Sequence, residues 1–452
     1  MSDAIVAKIV LRLTFETTAP LLIGGGRDDS SDLSIIRLSD GSPFIPGSSI
    51  AGRLLRCFLD NQATIKQDDL DFMKFWGIDI SNDERHQSHL NVGPALLTDT
   101  HKPKTTIYDG VRIDPASGTA ADQGKYNYEY LDTGAMFKQE FVVTVRENAD
   151  LKNMEKLAHF ILTCYQKGLS FGAKAKLGFG EVKLDTYKFV KFIFPKDFGL
   201  WMDYCTEDKL PDKHLIISDP IPYVATEKFQ LKIDAELGGP IITALKEDKK
   251  DSSDKIQYHR EGQHLIPASS LMGPLTHRAR KILNTVRPTE AKGIHETLFG
   301  TVDEKNKKTC KSRIMIRETR IENVIDHPQT RTKIDRFTGG VIPGALTQTQ
   351  PVTPSDSGPH LTLDLEITQP SPHEITLLMM VAKDLLTGDL AIGGEKGIGR
   401  GVLMGGKVEA ILNEKTAAFT VTRDGTISGS AGFLAEDYDT FVWPEPKSQE
   451  EE

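Results

Sequence analysis

The sequence predicts an α+β protein written twice along one chain. Three observations predict it. The same landmarks recur in the same order at an offset of about 220 residues. Each copy opens on a strand in which apolar and polar residues alternate. Within each copy strands and helices interleave, the pattern of an antiparallel sheet with helices packed on one face.

The opening strand sets Ile9, Leu11, Leu13 and Phe15 between polar neighbours, and Phe229, Leu231, Ile233 and Ala235 repeat it. Period-two alternation buries one face of a strand. Each strand leads to a glutamate and a proline, Glu16 and Pro20, then Glu236 and Pro240. A polar segment follows, GGGRDDSSD (24–32) matched by KEDKKDSSD (246–254). Next come FIPGSSIAGRLLR (44–56) and LIPASSLMGPLTHRAR (265–280). The first helix is expected to start at Ser48–Ser49, where a serine can cap free backbone donors. RIDPASG (112–118) pairs with KIDRFTG (333–339). A second helix is expected over 151–167, with Leu157, Phe160, Ile161 and Cys164 on one buried stripe, and 374–386 takes its part in the second copy. KLGFGEV (176–182) pairs with KGIGRGV (396–402) as a glycine turn into the closing strand. This order points to the βαββαβ ferredoxin-like (RRM-like) unit. The domains are placed at 1–205 and 226–425, with 206–225 as a linker and 426–452 as an acidic tail.

The bulk properties narrow the function classes. The 452 residues suffice for more than one core. No apolar run is long enough to cross a bilayer, and no signal-peptide core opens the chain. Cys57, Cys164, Cys205 and Cys310 form no CxxC pair and suggest neither zinc nor a disulfide framework, which fits a reduced cytoplasmic setting. The formal net charge of -9 does not advertise a nucleic-acid binder, but acidic residues gather in the tail from Ala435 while short segments elsewhere are locally basic.

The run from Gly24 to Arg56 resembles the N-terminal signature of the RAMP superfamily, which includes the backbone subunits of type III CRISPR complexes of the Csm and Cmr kind. That signature is a glycine-rich loop, an aspartate, an apolar-basic strand, then (Y/F)IPGSS and a basic helix. The second copy departs from it at Ala268, where Gly47 sits in the first. LGFGEV and GIGRGV resemble the family's C-terminal glycine-rich loop. Lys333–Val352 looks like the protruding thumb hairpin of such subunits. The resemblance implies two RAMP domains with thumb insertions, fused as in subtype III-D. It implies guide RNA (crRNA) and target RNA as partners, with further RAMP subunits and the large polymerase/cyclase-type subunit, and no membrane.

Several sites follow from residue chemistry and the resemblance together. Ser48 and Ser49 with Arg53 and Arg56, and Ser269 and Ser270 with His277, Arg278 and Arg280, place open amides and cations at a helix start, which suits phosphate. Around the glycine turns, Lys174, Lys176, Lys396 and Arg400 suit a phosphate cradle; GxxxxGK[ST] is missing, so the ATPase reading falls. Arg112, Lys333 and Arg336 flank the thumbs. Phe337, Val341, Ile342, Pro343 and Leu346 offer apolar wedges in the second copy, as do Tyr126, Tyr128, Tyr130, Met136 and Phe137 in the first. The resemblance makes Asp32 the catalytic and metal-binding carboxylate and Asp254 its counterpart, with Asp28, Asp29 and Asp251 in reserve. Asp254 lies one residue nearer its Ile-Pro turn than Asp32 does. Mg²⁺ or Mn²⁺ suits a site of carboxylate, water and phosphate.

His86 and His89 read as solvated loop residues. Phe75, Trp76 and Gly77, echoed by Phe299 and Gly300, read as core, and 79–106 carries no clear signal. The leading expectation is a metal-dependent endoribonuclease that cuts the target through its own 2′-hydroxyl. The alternatives are a scaffold that binds guide RNA without chemistry, or a metal-independent ribonuclease that processes guide RNA; the last is disfavoured because no histidine lies near the glycine turns.

Overall fold

The computed structural model describes residues 4–27, 31–61, 64–66, 69–78, 87–98, 104–114, 120–245, 253–260, 262–303, 308–356 and 358–430. The chain divides into two compact units. Unit 1 takes 1–112, 122–175 and 179–226; unit 2 takes 113–121, 176–178 and 227–452.

In unit 1, strand β1 (Ile5–Thr17) lies at the centre of the main sheet. Helix α1 (Gly47–Asp60) follows, then strand β2 (Met136–Arg146), helix α2 (Leu151–Lys167) and strand β3 (Glu181–Ile193). Leu11 faces Phe141 on β2 and Phe189 on β3, both antiparallel. Short strands Leu90–Val92 and Ala95–Leu97 pair with the far edge of β2. They complete the four-strand ferredoxin order, so the segment without a sequence signal contains its second strand. Ile9, Leu11, Leu13 and Phe15 are all buried, as the alternation predicts. They meet Leu54 and Phe58 of α1 and Leu157, Phe160 and Ile161 of α2 in one core. Asp150 caps α2 by accepting from the Lys152 N–H at 2.8 Å.

The outer face of this sheet is covered as well. Helix Phe198–Glu207 sets Trp201 and Tyr204 against Val10, Val190 and Phe192. The stretch 206–225, expected as a linker, packs on unit 1 as well: Leu210 is buried in this outer cover, and Leu215, Ile217, Ile221 and Tyr223 pack on the core beneath the helices.

Unit 2 repeats the plan with β4 (Lys228–Leu237), α3 (Ala268–Val286), β5 (Leu361–Thr368), α4 (Pro372–Leu386) and β6 (Leu403–Leu412). Ile314–Ile316 pairs with β5 as the second ferredoxin strand. Strands Lys415–Val421 and Ile427–Ser430 extend the other edge. The expected tail therefore begins with a strand, and its residues from 431 onward lie outside those described. Both units are ferredoxin-like α+β folds, as the sequence predicts.

Two local expectations are corrected. His89 is buried, not solvated: its N–H donates to the Lys74 carbonyl and its carbonyl accepts from Thr144, so it is a backbone tie under the sheet. Burial, with Arg146 and Lys74 nearby, pulls its pKa below the usual histidine value. Neither helix start uses a serine cap. Pro46 and Pro267 take the cap positions with no side-chain bond, and the next residues start the helices. Cys57 and Cys164, distant in sequence, are both buried as free thiols in the unit 1 core. His86 lies outside the described residues. No helix among the described residues is long and apolar enough to cross a membrane.

Candidate nucleic-acid interface

Each copy sets three features at one end of its sheet: a helix start, an aspartate beside the thumb strand, and a glycine turn. At the start of α1, the Pro46 carbonyl takes the Ser49 and Ile50 N–H groups at 3.0 and 3.2 Å. The Gly47 and Ser48 amides have no acceptor among the described residues, and Ser48 and Ser49 are exposed. Glycine is required at 47, since a Cβ there would stand 2.2 Å from the Val92 carbonyl oxygen. Arg53 is half-buried and donates to the Ser170 carbonyl at 3.2 Å, and exposed Arg56 pairs with Asp60 at 2.9 Å. In the second copy, Ser269 and Ser270 are half-buried at the same turn of α3 and Arg280 is exposed. His277 is half-buried, and Arg278 is committed elsewhere: its Nε donates to buried Asp384 of α4 at 2.6 Å. Arg278 thus holds α3 to α4, which corrects its expected role on RNA.

The two aspartates are placed alike. Asp32 Oδ2 accepts from the Asn127 N–H at 3.1 Å, and the Asn127 side-chain oxygen accepts from the Asp32 N–H at 2.7 Å. Asp254 Oδ2 accepts from the Gln348 N–H at 2.8 Å. Asn127 and Gln348 occupy matching positions on the strands that rise from the two thumbs, 120–131 and 347–350. The one-residue slip at Asp254 is therefore absorbed in the loop, and its carboxylate meets the same strand. Asp32 also pairs with exposed Arg27 at 2.9 Å. Among the described residues, Asp32 and Asp254 are solvent-exposed carboxylates at this place. Asp28, Asp29 and Asp251 lie outside the described residues.

The glycine turns share one backbone. Gly180 and Gly401, both with positive φ, donate to the Pro20 and Pro240 carbonyls at 2.7 and 2.8 Å. Their own carbonyls accept from Phe171 and Ile392, each at 2.9 Å. A Cβ at either glycine would fall within 2 Å of a carbonyl oxygen. These bonds align the turns one residue away from the lysine-based pairing: Lys396 matches Ala175, and Glu395 matches Lys174. Lys174 (φ 60°) and Glu395 (φ 56°) hold the same left-handed pose. The Lys174 ammonium lies 4.2 Å from the Tyr128 ring centre and 5.4 Å from that of Tyr126, and burial there pulls its pKa below the usual lysine range. Phe179 packs edge-on against Tyr128 and Tyr130. In the second copy, Arg400 replaces Phe179 and is buried, bonding Gln329 and Thr349 and pairing with Glu395 at 2.8 Å. Arg400 is thus not an open phosphate ligand as expected. Lys176 is half-buried and Lys396 exposed.

The thumbs differ from expectation in one copy. Tyr128, Tyr130 and Phe137 are buried at the base of the paired strands 105–113 and 120–131, so they are not wedges; Arg112 is exposed on the first of these strands. In the second copy the tip is open. Phe337 is fully exposed beside Lys333 and Arg336, with Val341, Ile342 and Leu346 also exposed. Asp335 ties this tip by accepting from the Phe337 and Thr338 N–H groups at 2.7 and 3.2 Å, which hold its carboxyl below the usual range.

The RAMP superfamily profile matches residues 14–183 and 253–403, more than half of the chain. The chain belongs to the RAMP superfamily. No curated protein matches it. Among solved structures it is similar to a chain of "Type III-B Cmr-beta Cryo-EM structure of the Apo state", at 14% identity and a TM-score of 0.32, over 39% of this chain and 96% of that one. In both RAMP domains, sequence reasoning missed Asn127, Gln348 and Glu395. The first two hold the aspartate through a backbone N–H, which leaves no mark in residue type, and Asn127 adds its side-chain oxygen. Glu395 was legible only by aligning the turns on their glycines.

Proposed function

We propose that this RAMP protein is a backbone subunit of a type III CRISPR ribonucleoprotein, which holds guide RNA phosphates and cuts the paired target RNA beside Asp32 and Asp254. The observation that carries this reading is the matched seating of both carboxylates on a thumb-strand N–H. The open amides at Gly47 and Ser48 with Arg53 and Arg56, and the cations Lys174, Arg280, Lys333 and Arg336, suit an RNA backbone.

Among the described residues no cluster of three or more His, Cys, Asp or Glu side chains is placed to hold a metal. A divalent ion would therefore share one aspartate with RNA phosphate and water, a donor set that suits Mg²⁺ or Mn²⁺. Each Oδ2 gives one lone pair to the strand and keeps another for such a ligand. When bound, the ion would supply charge stabilisation at the phosphate. The chain's own part is positioning. Asn127 and Gln348 fix where the carboxylate stands, and the carboxylate accepts the 2′-hydroxyl proton. The 2′-oxygen then bonds to phosphorus as the P–O5′ bond breaks and the leaving 5′-oxygen takes a proton from water, giving a cyclic phosphate and a 5′-hydroxyl; the carboxyl later returns its proton to solvent.

The test is reconstitution on guide RNA with end-labelled target and Mg²⁺. Two cuts at a fixed spacing are expected, one lost in Asp32→Ala and the other in Asp254→Ala. Cleavage that survives in the double variant overturns the assignment. Guide binding with no cleavage by the wild type would make the protein a scaffold.

A further inference from the structure

Glu395 stands in the backbone pose that Lys174 holds in the first copy, and three cations converge on it. Arg331 Nη2 approaches at 2.9 Å, Arg400 Nη1 at 2.8 Å and Lys255 Nζ at 3.9 Å. One carboxylate therefore faces three positive groups, and two charges remain uncompensated by it. The cluster is fixed underneath and open above. The Arg400 side chain is 3% exposed, whereas Arg331 is 36% and Lys255 50% exposed. It also adjoins the acidic site. Lys255 follows Asp254, and Arg400 Nη2 bonds Thr349, the residue after the one whose N–H holds Asp254.

An arginine fork that accepts a carboxylate accepts a phosphate by the same geometry. A buried arginine needs a counter-anion in place before any ligand arrives, because a lone buried charge is costly. Glu395 meets that need. Its backbone is set by the glycine turn, so its side chain can swing outward without moving the loop.

We propose that Arg331, Arg400 and Lys255 form a phosphodiester-binding site for RNA that Glu395 occupies from within, and that an RNA phosphate binds there by displacing the Glu395 carboxylate. The second domain then holds RNA against an internal competitor that the first domain lacks. This inference rests on the RNA-binding reading above.

The experiment uses the full chain and a fluorescein-labelled single-stranded RNA of mixed sequence, titrated across a salt series. Glu395→Gln is expected to bind about tenfold tighter than wild type, with the log–log salt slope steeper by about 0.7. Adding Arg331→Ala to Glu395→Gln is expected to remove most of the gain. Glu395→Asp, with the charge kept on a shorter arm, is expected to fall between. If wild type binds RNA and a folded Glu395→Gln binds it no tighter, this inference is overturned and the RNA-binding reading stands. Should Glu395→Gln fail to fold, unchanged affinity in Glu395→Asp overturns it equally. Absence of RNA binding by wild type and variants alike overturns both.

Discussion

At the glycine turn the first domain carries a lysine laid on tyrosine faces, and the second carries a glutamate among arginines and a lysine. The backbones match in the bonds that anchor the turn, down to the positive φ of the inverted residue. Backbone and side chain are thus constrained by different things. The turn is fixed by close carbonyl contacts that exclude a Cβ. The side chain need only bridge the turn to the thumb strand, and a cation on an aromatic ring or an ion cluster does so equally. Duplication preserved the frame and left the charge free to reverse.

The largest expected effect tests whether the domains are equivalent in chemistry. Asp32→Ala and Asp254→Ala should each slow one cut by at least about 100-fold, measured by single-turnover cleavage, since positioned proton transfer contributes about that much. A silent Asp254→Ala would break the comparison at its main point.

Next comes the helix start, where the copies differ by one methyl group. Gly47→Ala drives a Cβ into the Val92 carbonyl and should destabilise unit 1 by about 3 kcal/mol in denaturant titration. Ala268 already accommodates its Cβ in the same place, so Ala268→Gly should cost only about 1 kcal/mol. Equal effects would mean that the two starts are built alike after all.

Arg278→Ala should destabilise unit 2 by about 2 kcal/mol, because it leaves buried Asp384 only its contact with Lys383, whereas Arg56→Ala should cost no more than about 0.5 kcal/mol for its exposed pair. Burial raises the Asp384 pKa, but bonds from Arg278 and Lys383 outweigh it and hold the carboxyl below its ordinary value of 3.8. That stabilisation is fully present above the unfolded value and lost as pH falls through the lowered folded value. Acid titration of unfolding should show the loss in wild type and a smaller one in Arg278→Ala, where only Lys383 still holds the carboxyl down.

The smallest effect lies at the turn itself. Lys174→Met keeps the stem but removes the charge over Tyr128, and should cost about 1 kcal/mol of stability in thermal denaturation. The same change should lower RNA affinity by only a few-fold.

Much of this was legible along the chain. The buried faces of β1 and β4 follow from alternation, because a strand in water has one way to hide its apolar residues. Both aspartates and the glycine doublets stand out through repetition. The second ferredoxin strand at 90–97 did not, since two three-residue strands carry too little pattern to register as a period. The tyrosines of the first thumb read as wedges because an aromatic residue looks the same whether it faces a base or a core.

The sequence alone determined that two copies of one module follow each other, that each centres on an apolar-faced strand, and which aspartates correspond. Those are properties of pattern and order. Only the tertiary structure decided which cations stay open to a ligand, because burial and pairing depend on what lies across space. Arg278 and Arg400 are bound to carboxylates 106 residues away and five residues away respectively, and Arg280 and Arg336 are exposed. An arginine's charge is written in its letter; whether that charge is spent inside the fold is not.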